Sequence, residues 1–447
     1  MNRKYPMIVA AVAAAMASGY AGAVVPTLAQ ANAPTAALVM AGSSAASSAV
    51  GTAIEKDLCG GASNTLIAAS KGGSGNFLAF SCFTANAITT TPTLPANTLV
   101  TIYYRTEGGS VVGALPVVSN KQIKRLNLGD TTNCSVSGNA ATCTVNGTTA
   151  ASGTTDNWTG AVVADTVQLG VTDVEPGQLT NADYPSNYSA AAFGTATPTQ
   201  LKNLTTTRLY GQIFGLVVNK AGQSFSSVNL SKESAANILS GNFSDWANVP
   251  DALTGDPISS SQSIIHRINR EPGSGTRTAT NIFFLGYQCG SVNSIPPVAG
   301  ETLNFSTGDE LTLANNTPGS IAYTSIDQIQ NPANGTKFTN LVLATIDGVA
   351  PSGLAAATGR YGFWYEATLV PETGVTGGSL SLSNYLQTNL PKLALAPAIP
   401  DVIAIPGVGG NAAAVPPNSN GSTGTAQVFV NPYSRGGNSC SVPGEQI

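Results

Sequence analysis

The sequence predicts an α/β protein in which strands alternate with helices. Three observations carry that expectation. Apolar, β-like runs alternate along the chain with capped helical segments, the pattern that puts parallel strands into βαβ units. The 447 residues, 42% of them hydrophobic, suffice for two or three lobes with cores of their own. Only 9% are charged, against about 25% in ordinary soluble chains, and small and polar residues such as Ala, Gly, Ser, Thr and Asn take up the difference.

The elements follow in order. Arg3 and Lys4 precede an apolar run, Met7 to Ala17, with small-residue cleavage candidates at Ala21-Gly22-Ala23 and Ala29-Gln30-Ala31. This is the layout of a secretory signal peptide over residues 1–31, cut near 23 or 31. The apolar run is shorter than the ~20 residues that span a bilayer, and no later stretch reaches that length. No cysteine stands at the candidate cuts, which argues against an N-terminal lipid. ALVMAG (37–42) reads as a buried strand and SSAASSAVGTAIEK (43–56) as a helix. Residues 60–165 are rich in Thr, Ser, Gly, Asn and Val, with β-like runs NFLAFSCF and LVTIYYR. AVVADTVQLGVTD ends in an apolar strand. LYGQIFGLVVN (209–219) is a strand, and SKESAANILSG (231–241) a helix with a Ser cap and a terminal Gly. SIIHRIN is a strand and GTRTATNIFFLGY a helix. SIAYTSIDQIQ is a strand leading into a helix, NLVLATIDG another strand, YGFWYEATLV an aromatic strand, and SLSLSNYLQTNL a helix. From Gly407 the chain is rich in Gly, Asn, Pro and Ser and reads as a surface extension.

Charge and cysteine content exclude whole classes. With 19 basic and 23 acidic residues the net charge is −4, the wrong sign for a nucleic-acid binder. Loss of the signal, with Arg3 and Lys4, takes it to −6. One histidine and scattered acids offer no metal or cofactor site. The six cysteines all follow the signal, and an even number in an exported chain favours disulfides. Cys134 and Cys143 bracket a polar Gly-Asn turn between alternating segments, a stapled hairpin. Cys59–Cys82 and Cys289–Cys440 are the simplest completion, although sequence does not fix the pairing.

The segment with most chemistry is Arg270-Glu271-Pro272-Gly273-Ser274-Gly275-Thr276-Arg277, between the strand SIIHRIN and an apolar helix. Ser274 or Gly275 falls near the N-cap. Unpaired N–H groups, short hydroxyls and the helix dipole make an anion cradle there, and Arg270 adds a fork of donors. An ordinary cap with an exposed arginine is the competing reading. Ala41-Gly42-Ser43-Ser44 repeats the strand-to-helix logic but has no Lys after the Gly, so it is not a nucleotide P-loop. Tyr103-Tyr104-Arg105-Thr106-Glu107-Gly108-Gly109-Ser110 is a third such segment. Asp173, at the end of an apolar strand, is suited to accept a proton from an oxyanion or to cap a turn.

Taken together these segments resemble the phosphate-binding branch of the periplasmic substrate-binding proteins that serve ABC importers. MAGSSAASSA, YYRTEGGSVVG, LGVTDVEP, LSKESAANILSGNFSDWANV, NREPGSGTRTA, NNTPGSIAYTSID, LATIDGVAPS and GRYGFWYEATL carry the resemblance, in the family's order, across roughly residues 35–390. It implies a two-lobed, periplasmic-binding-protein-like fold of type II, with mixed sheets flanked by helices and a β-rich insert in the first lobe. Lobe 1 covers 32–210 with the insert at about 60–165, lobe 2 covers 211–346, residues 347–406 return to lobe 1, and 407–447 form the extension. The resemblance implies an inorganic oxyanion, phosphate first, held between the lobes by Ser43, Ser44, Ser110, Asp173, Arg270, Ser274, Gly275 and Thr276. In that role Asp173 accepts the proton of hydrogen phosphate and repels sulfate. An importer membrane subunit is the partner the resemblance suggests, and the expected molecule is a monomer, periplasmic or secreted, without cofactor or enzyme activity. Relatives often carry Asp between the arginine and Gly-Ser-Gly-Thr. Here Glu271-Pro272 stands there, so either Glu271 replaces that acceptor or the arginine is freer.

Other classes fit less well. A serine hydrolase using His266 lacks a Gly-x-Ser-x-Gly elbow. A metallophosphatase lacks clustered ligands. A secreted structural or adhesive protein is the stronger rival, because the Thr/Asn/Gly-rich insert suits it. Trp246 and Trp364 read as core or rim residues rather than a sugar platform. Convergence of Ser43, Ser110, Asp173 and Ser274 on one cleft separates binding from scaffold.

Overall fold

In this computed structural model the described residues are 24–72, 76–147, 156–179, 190–287, 289, 300–330, 337–393, 402–405 and 433–445. Residues 1–23 of the expected signal peptide, and 407–432, 446 and 447 of the expected extension, lie outside them. The second cleavage candidate, Ala29 to Ala31, sits in a short helix, Leu28–Asn32, closed by a Thr27–Gln30 capping box. Ala31 is buried, and its carbonyl accepts from the Thr101 hydroxyl at 2.7 Å.

The fold is mixed α/β. Its principal strands are β1 (Ala36–Gly42), β2 (Leu66–Lys71), β3 (Phe77–Phe83), β4 (Leu99–Arg105), β5 (Cys134–Ser137), β6 (Ala140–Asn146), β7 (Leu169–Thr172), β8 (Thr207–Asn219), β9 (His266–Arg270), β10 (Glu301–Asn304), β11 (Ser320–Ser325) and β12 (Trp364–Pro371). They join in the order β10-β9-β11-β8-β12-β7-β1-β4-β3-β2-β6-β5. Each half of the sheet contains a parallel trio. In the first half β1 lies between β7 and β4. In the second, β9 lies between β10 and β11. The antiparallel pair β8 and β12 connects them. β8 is 13 residues long and buried over its last eleven, which suits a central strand shared by both halves. It runs across position 210/211, where the sequence reading divides the lobes.

The principal helices are α1 (Ser47–Ala53), α2 (Ser110–Ser119), α3 (Lys232–Leu239), α4 (Gly275–Leu285), α5 (Thr307–Asn316) and α6 (Gly377–Leu393). α1 is shorter than the expected 43–56 and continues as one π-helical turn, Ile54–Leu58. α3 has its Ser231 cap, with the Ser234 N–H donating to Ser231 Oγ at 2.9 Å. β10 and α5 are not anticipated by the sequence reading. ETLN is short and half-exposed, and TGDELTLANN carries polar residues on most of its faces, so neither shows a clear period.

The stretch read as an insert proves to be two things. Residues 99–119 supply β4, paired in parallel with β1, and α2 behind it, so they belong to the core of the first half. The rest of its described residues lie outside that core, extending the sheet through β3, β2, β6 and β5 and pairing Gln122–Leu126 with Val162–Thr166 in a separate two-stranded sheet. The three disulfides are Cys59–Cys82, Cys134–Cys143 and Cys289–Cys440, as the simplest pairing expected. Cys134 and Cys143 are register partners in the β5–β6 hairpin.

Candidate functional site

Within each trio the parallel strands deliver their C-terminal ends to one edge, where ligands gather, and the two trios run in opposite directions because three antiparallel pairings separate them. Here five loops start from such ends: Ser43-Ser44 after β1, Thr106 to Gly109 after β4, Asp173 after β7, Glu271 to Ser274 after β9, and Phe305-Ser306 after β10. Seven of the eight residues expected in the site lie in one of these loops or in the first turn of the helix that follows, and Arg270 is the last residue of β9.

Ser43, Ser110, Asp173 and Thr276 meet directly. Asp173 Oδ1 accepts a hydrogen bond from Ser43 Oγ, and Oδ2 accepts one from Thr276 Oγ1 at 3.2 Å. The Asp173 N–H donates to Ser110 Oγ at 3.0 Å. Ser43 is held further by the Ala46 N–H, which donates to its hydroxyl, and by the Tyr104 hydroxyl, which donates to its carbonyl at 2.5 Å. All four are buried. Burial pushes the Asp173 carboxyl above its ordinary range, opposed by the Ser43 hydroxyl, by Arg270 and by the Thr276 and Ser110 contacts. Such a carboxyl suits an acceptor that must take a proton from a ligand, or hold one itself.

Gly275 is required where it is. A Cβ there would come 2.2 Å from Ser110 Oγ and 2.9 Å from Asp173 Oδ2, and no side chain survives that approach. Gly275 and Thr276 open α4, so their N–H groups have no acceptor within the helix. Ser274 is the N-cap, and its Oγ accepts from the Arg277 N–H at 3.3 Å. A hydroxyl that accepts there keeps its own hydrogen to donate.

Ser44 and Arg270 form the adjoining group, together with a residue that the sequence reading missed. Arg270 Nε donates to the Asn304 carbonyl at 3.3 Å and Nη2 to the Phe305 carbonyl at 2.8 Å. Nη1 donates to Thr307 Oγ1 at 2.8 Å and to Ser44 Oγ at 3.3 Å. Ser44 and Thr307 share a hydroxyl–hydroxyl bond of 2.9 Å. The expected open fork is thus mostly occupied by the protein. Of five guanidinium hydrogens four are engaged, and the fifth is on Nη2. That nitrogen faces Gly109, whose added Cβ would lie 3.4 Å from it. Gly109, at φ 73°, is the residue before Ser110, so the nitrogen with the remaining hydrogen lies beside the loop that carries Ser110.

Arg270 is 1% exposed, yet among the described residues no carboxylate oxygen lies within 4.0 Å of it. Glu271, buried beside it, does not pair with it and so does not replace that acceptor, yet the arginine is not free either, because neutral oxygens of the protein take four of its hydrogens. Thr307 had a legible signal: Ser306-Thr307-Gly308-Asp309 is a helix cap, with the Asp309 N–H donating to Ser306 Oγ at 3.1 Å. What hid it was the weak strand before it.

His266 is exposed at the start of β9, the opposite end of that strand from Arg270, and takes no part. Trp246 is fully buried, its Nε1–H donating to the Gly319 carbonyl at 2.9 Å, and Trp364 is buried beneath Arg435. Both are core residues. Among the described residues no cluster of His, Cys, Asp or Glu could hold a metal ion, and no helix is long and apolar enough to cross a membrane.

No family model matches the chain, and no curated protein matches it. Solved structures do. A substrate-binding protein assigned to a phosphate ABC transporter of Clostridium perfringens, with bound phosphate, is 12% identical over 82% of this chain and 99% of its own, at a TM-score of 0.44. A phosphate binding protein of Stenotrophomonas maltophilia is 12% identical over 79% and 83%, at 0.42. PstS of Borrelia burgdorferi is 12% identical over 78% and 92%, at 0.34.

Proposed function

We propose that this chain is an exported solute-binding protein that holds an inorganic oxyanion, phosphate first, between the two halves of its sheet. It is a binder rather than an enzyme, acting in uptake with an importer membrane subunit or in extracellular scavenging, as the sequence resemblance implies. The packing of Ala31 favours a mature chain that begins near residue 23 rather than 31.

One observation carries the reading. Arg270 is a buried cation held by neutral acceptors, and a buried charge without a counter-charge is costly. An oxyanion supplies that counter-charge. Around it stand the hydroxyls of Ser110 and Ser274, which accept from N–H groups and keep their hydrogens to donate, and the first N–H groups of α4, all suited to oxygen acceptors, while Ser43 and Thr276 give their hydrogens to Asp173. Asp173 is the exception, since a carboxylate repels an anion. Its place in the group makes sense if the ligand carries a proton to donate, as hydrogen phosphate does and sulfate does not.

Calorimetry on protein stripped of ligand tests this. Phosphate should bind and sulfate should bind far more weakly. Arg270→Ala should weaken phosphate by at least about 2 kcal/mol, roughly thirtyfold, as loss of a buried charged donor does. If neither anion binds, the assignment fails. If both bind equally, Asp173 does not act as the discriminating acceptor.

A further inference from the structure

Arg270 is not set by its own strand alone. Three of its four engaged hydrogens go to the short segment 304–307, which links β10 to α5: to the carbonyls of Asn304 and Phe305 and to the hydroxyl of Thr307. The fourth goes to Ser44 Oγ, which belongs to the loop after β1 in the other half of the sheet. Thr307 Oγ1 and Ser44 Oγ are also bonded to each other at 2.9 Å. One arginine nitrogen and two hydroxyls therefore form a closed triangle, two corners in the second half and one in the first. All three residues are buried.

From this we infer that Thr307 is a positioning residue that couples closure of the two halves to the orientation of Arg270. The inference rests on the oxyanion reading above. Nη1 needs an acceptor wherever it points. Within the second half it has Thr307, whose single hydroxyl hydrogen is then free to donate. When the halves approach, Ser44 takes that hydrogen or gives its own, and accepts from Nη1 as well. The guanidinium is then held at Nε, Nη1 and Nη2, which leaves one hydrogen on Nη2, beside the loop that carries Ser110. With the halves apart the Ser44 corner is missing and the guanidinium plane is held from one side only. Closure thus completes the arginine, and the arginine's hold on the ligand in turn favours closure. The hydroxyl of Thr307 is what joins the two. Its methyl group plays no part, so serine should replace it and valine should not.

The test measures phosphate affinity and dissociation rate by calorimetry and stopped-flow for wild type, Thr307→Val, Thr307→Ser, Ser44→Ala and the double variant Ser44→Ala/Thr307→Val. Thr307→Val is expected to weaken phosphate roughly tenfold, mainly through faster dissociation, as loss of a hydrogen bond to a charged group does. Thr307→Ser should bind within about twofold of wild type, because it keeps the hydroxyl. The double variant should lose no more than either single one, because both break the same triangle. Thr307→Val binding like wild type, Thr307→Ser failing to restore what valine loses, or additive losses in the double variant would each overturn the inference while leaving the oxyanion reading intact. A wild type that binds neither phosphate nor sulfate removes both together. If Thr307→Val does not fold, Ser44→Ala decides from the other side of the triangle, where unchanged phosphate affinity and dissociation again overturn it.

Discussion

Glu310 shows what one buried carboxyl does to pH dependence. It lies in the first turn of α5, fully buried, with Oε1 accepting from the Tyr323 N–H at 3.3 Å and Oε2 without a partner among the described residues. Burial pushes its carboxyl up to about 8, against the pull of Arg270, of the Tyr323 N–H and of Arg277. In the unfolded chain the same group ionises near the ordinary value of about 4.3. Between those two values the folded state keeps a proton that the unfolded state has lost. Stability therefore falls as pH rises through that window, by at most about 1.4 kcal/mol per pH unit, and levels off above it. Glu310→Gln removes the titrating group and keeps the shape. Urea unfolding between pH 6 and 8 should show the variant gaining on wild type by more than about 1 kcal/mol, close to the worth of one pH unit. Parallel curves would mean that Glu310 is ionised throughout and paid for in some other way.

At the scale of elements, the loop between β4 and α2 is fixed by a buried ion cluster. Arg105 bonds to Glu107 at 2.7 Å and to Asp156 at 2.6 Å, and lies over the rings of Phe77 and Phe193. Glu107 also accepts from Trp158 Nε1 at 3.1 Å. Burial works against the Arg105 charge, and the two carboxylates outweigh it. The cluster holds residues 105–107 just before the glycines that bring Ser110 to Asp173. Arg105→Met leaves the two carboxylates without their cation and should cost about 3–5 kcal/mol in chemical unfolding. Adding Glu107→Gln should recover part of that loss. No recovery would mean that packing on Phe77 and Phe193, not charge, is what Arg105 supplies. This cluster also marks the limit of what the chain discloses by itself. The loops at Ser43, Asp173 and Arg270 were legible because each follows an apolar strand whose period is plain, and Ser274 because it stands in a Gly-Ser-Gly-Thr cap. Arg105 read only as part of a Gly-rich turn, since its partner Asp156 is 51 residues away and no local pattern joins them. Thr307 and Glu310 were missed for a related reason. A short, half-exposed strand and a helix with polar residues on most faces leave no period to read, although tertiary contacts make both elements part of the site.

At the scale of the molecule, residues 433–445 form a strap over both halves. Tyr433–Ser434 pairs antiparallel with Gly444–Glu445. Glu366 on β12 accepts from Ser434 Oγ and the Arg435 N–H, both at 2.7 Å, and from the Gly437 N–H at 2.8 Å. Arg435 donates to the Ser441 carbonyl at 2.7 Å and lies over the Tyr365 ring. Ser439 donates to Glu175, two residues beyond Asp173 in the first half. Cys440 is bonded to Cys289, which follows α4 in the second half. That disulfide joins residues 151 apart in sequence, against 9 for Cys134–Cys143. If cross-links act by restricting the unfolded chain, the long one contributes ~5 kcal/mol and the short one ~3 kcal/mol. Replacing both cysteines of each pair by serine separates this from the contacts, because the polar contacts of the strap survive. Cys289→Ser/Cys440→Ser should lower the urea midpoint more than Cys134→Ser/Cys143→Ser does. The opposite order would mean that the hydrogen bonds of Arg435, Glu366 and Ser439 already confine the strap in the reduced chain. The disulfide would then add little to a segment that its polar contacts hold across the two halves.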